Sequence, residues 1–357
     1  LVVGAGNKLT VNTTLTNNGA LNLLSDNTNG SASILTPSAL AGTGTYNIQQ
    51  YLSVGNNANI SSPVTLATAS VLSSATSVTT YNETTAQWDN TTGSLIPAKG
   101  YLANSIKTNG VVTFSGVLNN GSQSIPLTRT TGKTNEGFNL VGNPYASYLN
   151  LNNLTNGNIE STIWFRSKDV GQLFDVYNLK SGVSTSNSGL PVTGYVPPMQ
   201  AFWVRVKKGK SPATLSLNNA MRSHIDVSNN IFRAPASYKD ALSLLRLKVS
   251  AGTVTDETVI YGDLNALDGL DDYDSSKGMN GATSTVPDIY TTVDAENLAI
   301  NGLSIIPLDT EIPLTFAANK STSTTFTIVA KEVNNLSGIS IILKDNATGA
   351  ETDITNG

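Results

Sequence analysis

The chain has 357 residues, 39% hydrophobic and only 13% charged, with a formal net charge of −4, one histidine and no cysteine. Its length exceeds one ordinary core, and the low charge among abundant Ser, Thr, Asn and Gly argues for β-structure rather than disorder. The same balance leaves no basic footprint for nucleic acid, no apolar run long enough to span a membrane as a helix, and no histidine cluster for a metal hydrolase.

In chain order, the sequence begins "LVVGAG", without methionine or signal peptide, and is expected to be a piece of a longer, processed protein. Residues 1–45 alternate short apolar runs (Leu9, Val11; Leu15; Leu21, Leu23; Ile34) with Asn-Gly and Asn-Asn turns. Strands this short at even spacing suit the end rungs of a β-solenoid, with a plain meander as the alternative. A few rungs do not stand alone, so more are expected upstream.

Residues 46–225 hold a loose duplication. "YLSVGNNANISSPV", an aromatic hairpin, "IPAKGYLANSI" and "VVTFSGVLNNG" are followed in the same order by "GFNLVGNPYAS", a second aromatic hairpin, "VPPMQAFWVRV" and "TLSLNNAM". Ser62-Pro63 corresponds to Asn143-Pro144, and Pro97–Tyr101 to Pro198–Phe202. A duplicated β-sandwich is expected here.

Residues 221–241 read as a connector, and 226–357 as a C-terminal β-sandwich. In "LLRLKVS", Leu245, Leu247 and Val249 face one way while Arg246 and Lys248 face the other. "TVIYGD", "IPLTF", "TTFTIVA" and "ISIILKD" continue the strands, and Asp294–Leu298 reads as a short helical turn. The expected fold is all-β: a β-solenoid end followed by β-sandwich, jelly-roll-like domains.

"GFNLVGNPYAS", "VPPMQAFWVRV", "NNAMRSH", "DETVIYGD" with "GLDDYDSSKG", "LAINGL", "IPLTF" and "DNATGAETDI" occur in that order. Together they resemble the region before the sorting domain in large surface and secreted proteins exported by the bacterial type IX secretion system. The resemblance spans residues 45–357, and the absence of cysteine also suits an extracellular bacterial protein. It implies a non-catalytic, adhesin-like stalk at the cell surface or in the medium. It also implies contact with the secretion and anchoring machinery through a sorting domain after "TDITNG", and a surface glycan or a host or neighbouring-cell molecule as ligand. The alternative is a carbohydrate-binding module of a secreted polysaccharide-degrading enzyme.

Three groups are candidate sites. "GFNLVGNPYASYLNL" reads first as a strand ending in a corner, where Gly142, Asn143 and Pro144 turn the chain and Tyr145 and Tyr148 cover it; Tyr145 is also a candidate ligand contact. Trp164 and Trp203 either pack the lobes or stack sugars, Trp203 being on the strand face opposite Phe202 and Val204. Asp268, Asp271, Asp272 and Asp274 are either solvated turn residues or oxygen ligands for Ca²⁺, the one cofactor the residues suggest. His224 has no nucleophile-elbow motif beside it and is expected to tuck into a domain interface, so no enzyme is expected.

Overall fold

A computed structural model describes residues 1–36, 39–166, 174–187, 192–224, 242–280, 283–308 and 311–355. Strand makes up 47% of it and helix 3%, so the fold is all-β, as expected. The helical turn expected at Asp294–Leu298 is not formed. Asp294 (φ 48°) and Ala295 (φ 65°) are the corner of a hairpin, with Val293 opposite Glu296. Two successive left-handed residues match the twist of the flanking strands, and that tertiary demand overrides the helical preference of Ala and Glu.

The described residues divide into two compact units, one within Leu1–Glu160 and Gly194–Ile231, the other within Ser161–Thr193 and Phe232–Gly357. These cut across the three segments read from the sequence: the hairpin of Thr162–Arg166 and Phe174–Asn178 belongs to the second unit. The boundary expected at 225/226, and the connector beyond His224, lie outside the described residues.

The first unit opens with parallel strand pairs. Lys8 lies opposite Ser33, Leu15 opposite Leu40 and Ala20 opposite Thr45, each pair 25 residues apart in sequence. That constant offset stacks like on like. Leu21 meets Tyr46 and Leu23 meets Ile48, all four buried, while Asn22 and Asn47 between them join amide to amide at 2.7 Å. Gly42, at φ 89°, is required at its corner, since a Cβ there would stand 2.1 Å from Asn17 O. Strand Thr45–Leu52 then pairs antiparallel with Gly110–Gly116, which brings Phe114 into the same core.

Two turns of this unit share one backbone geometry. Ala98 (φ 62°) and Met199 (φ 61°) each follow a proline in a turn that the next residue closes, Lys99 N to Ile96 O and Gln200 N to Pro197 O, both 3.2 Å. Proline followed by a left-handed residue is the geometry of a type II turn, which normally takes glycine at the second place. The carbonyl of each left-handed residue accepts from the other repeat: Met199 O from Ser61 N (2.7 Å), Ala98 O from Gly142 N (2.9 Å). Bridges Ile60 to Gln200 and Lys99 to Val141 complete the exchange. Asn119 Nδ2 holds both proline corners, donating to Ser62 O (2.9 Å) and Pro144 O (3.0 Å).

The second unit is built on one large sheet. Its strands run in the order Leu314–Ala317, Asp288–Val293, Glu296–Leu303, Val254–Gly262, Ser243–Ala251, Thr327–Asn334. Pairing is antiparallel except between Val254–Gly262 and Glu296–Leu303. Leu247, Val249, Ile289, Ala330 and Ile354 form an apolar cluster, with Leu245 packed beside it. Asp256, Glu257 and Lys277 are buried too, in a separate polar interior.

Candidate functional site

The corner at Asn143 is closed by its own chain. Asn143 Oδ1 accepts from Tyr145 N (3.0 Å), and its Nδ2 donates to Ser147 O (2.8 Å) and Pro197 O (2.9 Å). Tyr145 is fully buried and its hydroxyl donates to Gly121 O at 2.6 Å. Burial pushes that phenol up to about 12, so it stays protonated and keeps donating. Arg222 stacks on the Tyr145 ring at 5.0 Å and donates to Ser147 Oγ, Thr36 O and Ile34 O. Burial pulls the guanidinium down to about 10, still charged at neutral pH. Tyr145 thus presents nothing to a ligand. Its corner ties the proline turn to the N-terminal strands through a cation that the sequence reading missed.

His224 belongs to the first unit. Its Nδ1 lies 2.8 Å from Ser33 Oγ and its Nε2 3.1 Å from Thr10 Oγ1, so both ring nitrogens are taken by hydroxyls. Burial holds its pKa below the ordinary value, which keeps the ring neutral.

The two named tryptophans differ. Trp164 is fully buried in the second unit, and its Nε1 donates to Ser276 O at 2.9 Å. Trp203 belongs to the first unit, 7% exposed, with no partner for its Nε1. It packs edge-on against Tyr81 (5.2 Å) and Trp88 (5.9 Å). Trp88 itself is 42% exposed, on the edge strand Gln87–Asn90. The aromatic face open to solvent is therefore Trp88 and Tyr81. It was placed among the hairpin aromatics in the sequence but not singled out, because exposure on an edge strand has no local signature.

The four aspartates do not converge. Asp268 Oδ1 accepts from Ser304 N and Oγ (3.0 and 2.8 Å), and Asp271 accepts from Leu267 N and Tyr273 N (2.8 and 2.7 Å). Asp274 accepts from Asp271 N and Gly302 N, both 2.9 Å. The main chain at Asp272 bonds inward, its carbonyl accepting from Asn178 Nδ2 at 3.1 Å. Among the described residues no group of three or more acidic or histidine side chains is placed to hold a metal. The carboxylates of Asp268, Asp271 and Asp274 cap different stretches of backbone, the role that short acidic side chains take in turns. Asp274 differs in burial, which pushes its pKa up to about 7.

A charged interior beside this loop had no place in the sequence reading. Lys277 Nζ sits 2.7 Å from Asp256 Oδ1 and 2.9 Å from Glu257 O. Asp256 Oδ2 accepts from Ile289 N at 2.8 Å. Glu257 pairs with Arg246 (3.3 Å) and with Lys331, and Arg246 also bonds Glu332 (2.8 Å). Asp288, fully buried, accepts from Asn280 and Asn319. The one signal was "TDETV", two acids inside an otherwise apolar strand.

The family model described as "Domain of unknown function (DUF8693)" matches residues 1–357, and the chain belongs to that family. No curated protein and no solved structure matches it.

Proposed function

We propose that the chain is a non-catalytic stalk of a bacterial surface or secreted protein, adhesin-like, exported by the type IX secretion system. In this reading residues 1–45 are rungs of a β-solenoid, and sandwich-like units follow it toward the anchoring signal. One observation carries it: the polar groups that looked most like a site are turned inward and bonded to the chain's own backbone, as at Asn143, Tyr145, Trp164 and Asp271. The 25-residue offset shared by three parallel pairs supports the rungs, because stacking similar turns requires one period, although Val2 pairs with Asn22 at an offset of 20. Buried hydrogen-bonded corners resist extension, which suits a part that holds something else away from the cell. The test is protease shaving of intact cells of the source organism with the secretion system present and deleted. Cleavage of this chain only in the first supports export to the surface by that route, and equal labelling in both removes it.

The carbohydrate-binding alternative is favoured by one feature, the half-exposed Trp88 standing against Tyr81 and Trp203. An aromatic face beside amides is how sugars are stacked and oriented. Glycan-array binding that disappears in Trp88→Ala supports this reading, and binding that survives the substitution overturns it.

A further inference from the structure

We propose that Lys277 and Asp256 close an intramolecular amide bond inside the second unit, cross-linking strand Val254–Gly262 to the segment after Ser275–Ser276. The amine lies 2.7 Å from the carboxyl oxygen, and the two side chains are 3% and 0% exposed. An oxygen at that distance brings the carboxyl carbon close to the separation of about 3–3.5 Å from which held reactants attack. The partners are fixed on both sides. Asp256 accepts from Ile289 N (2.8 Å) and Asn187 Nδ2 (3.0 Å), and Lys277 Nζ is steered by Glu257 O (2.9 Å). Those two donors to Asp256 also stand where negative charge gathers when an amine adds to its carbon.

Burial supplies the protonation state. An ion pair out of water carries a large desolvation cost, which transfer of one proton from ammonium to carboxylate removes. Burial favours the protonated form of Asp256 against the opposing pull of Lys277 and the Ile289 amide, and Asp288 adds to it in smaller measure. The neutral amine is the nucleophile. Its lone pair forms the Nζ–Cγ bond, and an Nζ proton passes to the departing hydroxyl. The Cγ–O bond breaks and one water leaves; nothing is oxidised or reduced. The protein holds its own contrast. Lys331 also meets a buried carboxylate, Glu257, but is 43% exposed, so its amine stays in contact with water. Glu257 is further paired with Arg246 at 3.3 Å.

The inference does not depend on the stalk reading, and either can fail alone. The test is the intact mass of the purified, folded full chain. The expected value is one water below the sequence mass, with a branched Asp256–Lys277 peptide in a protease digest and no tryptic cleavage after Lys277. Lys277→Arg restores the full mass, whereas Lys331→Arg keeps the deficit. A wild-type mass equal to the sequence overturns the proposal whether or not any variant folds. A deficit that persists in Lys277→Arg also overturns it, because dehydration at another aspartate then explains the loss.

Discussion

In the first unit the interior is apolar and uncharged but for a few groups: Leu21, Leu23, Tyr46, Ile48 and Phe114 stack in register, and Glu83 and Arg205 are the buried charges among its described residues. In the second unit Asp175, Asp256, Glu257, Asp263, Asp274, Lys277 and Asp288 are all buried. Among the described residues, a chain with only 13% charge thus buries seven charged side chains in one half and two in the other. The lesson is that scarcity of charge does not by itself mean an apolar core. The two halves are held by different physics, and they should fail by different insults.

The sharpest way to break that contrast is Asp256→Ala. It leaves the buried Lys277 side chain without its partner, and removing one partner of a buried pair costs about 3–5 kcal/mol. Hydrogen exchange should show protection falling along Val254–Gly262 and Ser243–Ala251 while Thr45–Leu52 keeps its own. Equal losses in both units would mean one cooperative fold and would end the comparison.

The reverse experiment is Leu23→Ala. Leu23 is 1% exposed opposite Ile48, and truncating such a side chain costs about 2–5 kcal/mol through lost burial and the cavity left behind. Protection should fall at Ala20–Leu23 and Thr45–Leu52 and stay unchanged in the second unit.

A smaller effect tests the duplication. Asn119→Ala removes the amide that donates to both Ser62 O and Pro144 O, leaving two buried carbonyls short of a donor at about 1–3 kcal/mol. Exchange should quicken at both proline corners together. Loosening at one alone would mean that the corners share sequence pattern but not a structural role.

These experiments also mark what was legible in the sequence. Period-2 alternation and Asn-Gly turns carried the all-β class, because both are local. The corner at Pro144 was readable for the same reason: Gly142, Asn143 and Pro144 turn the chain by their own stereochemistry. Ala98 and Met199 both stand in the left-handed region, although neither residue type announces a positive φ. The buried charges were not readable. Asp256 and Glu257 lie next to each other on one strand, and only long-range partners, Lys277 from a loop and Arg246 from the neighbouring strand, make both positions interior. Nor did the candidate sites reveal themselves. Trp164 and Tyr145 were named for their chemistry, which the fold uses on Ser276 and Gly121, while the exposed Trp88 looked the same as any hairpin aromatic.

The finest test of the comparison is pH, where the two units should respond with opposite sign. Asp274 in the second unit has its pKa raised by burial to about 7, above the unfolded value of 3.8. Between those values the native state holds a proton that the unfolded chain has released, so this group adds stability as pH falls from about 7 to about 4, by at most about 1.4 kcal/mol per pH unit. His224 in the first unit is shifted the other way. Burial lowers its pKa below 6.5, so on acidification the unfolded chain takes up a proton first and the folded unit loses stability as pH drops below about 6.5. Glu83, held ionised by the Gly137 and Thr130 amides against its own burial, adds a loss in the same direction nearer pH 4. Exchange measured from pH 7 to 5 should therefore show the second unit tightening and the first loosening. Asp274→Asn should flatten the first of these trends, and His224→Gln the second. A common slope in both units, unchanged by either substitution, would mean that neither buried group governs the response and that the contrast in their interiors has no thermodynamic consequence over this range.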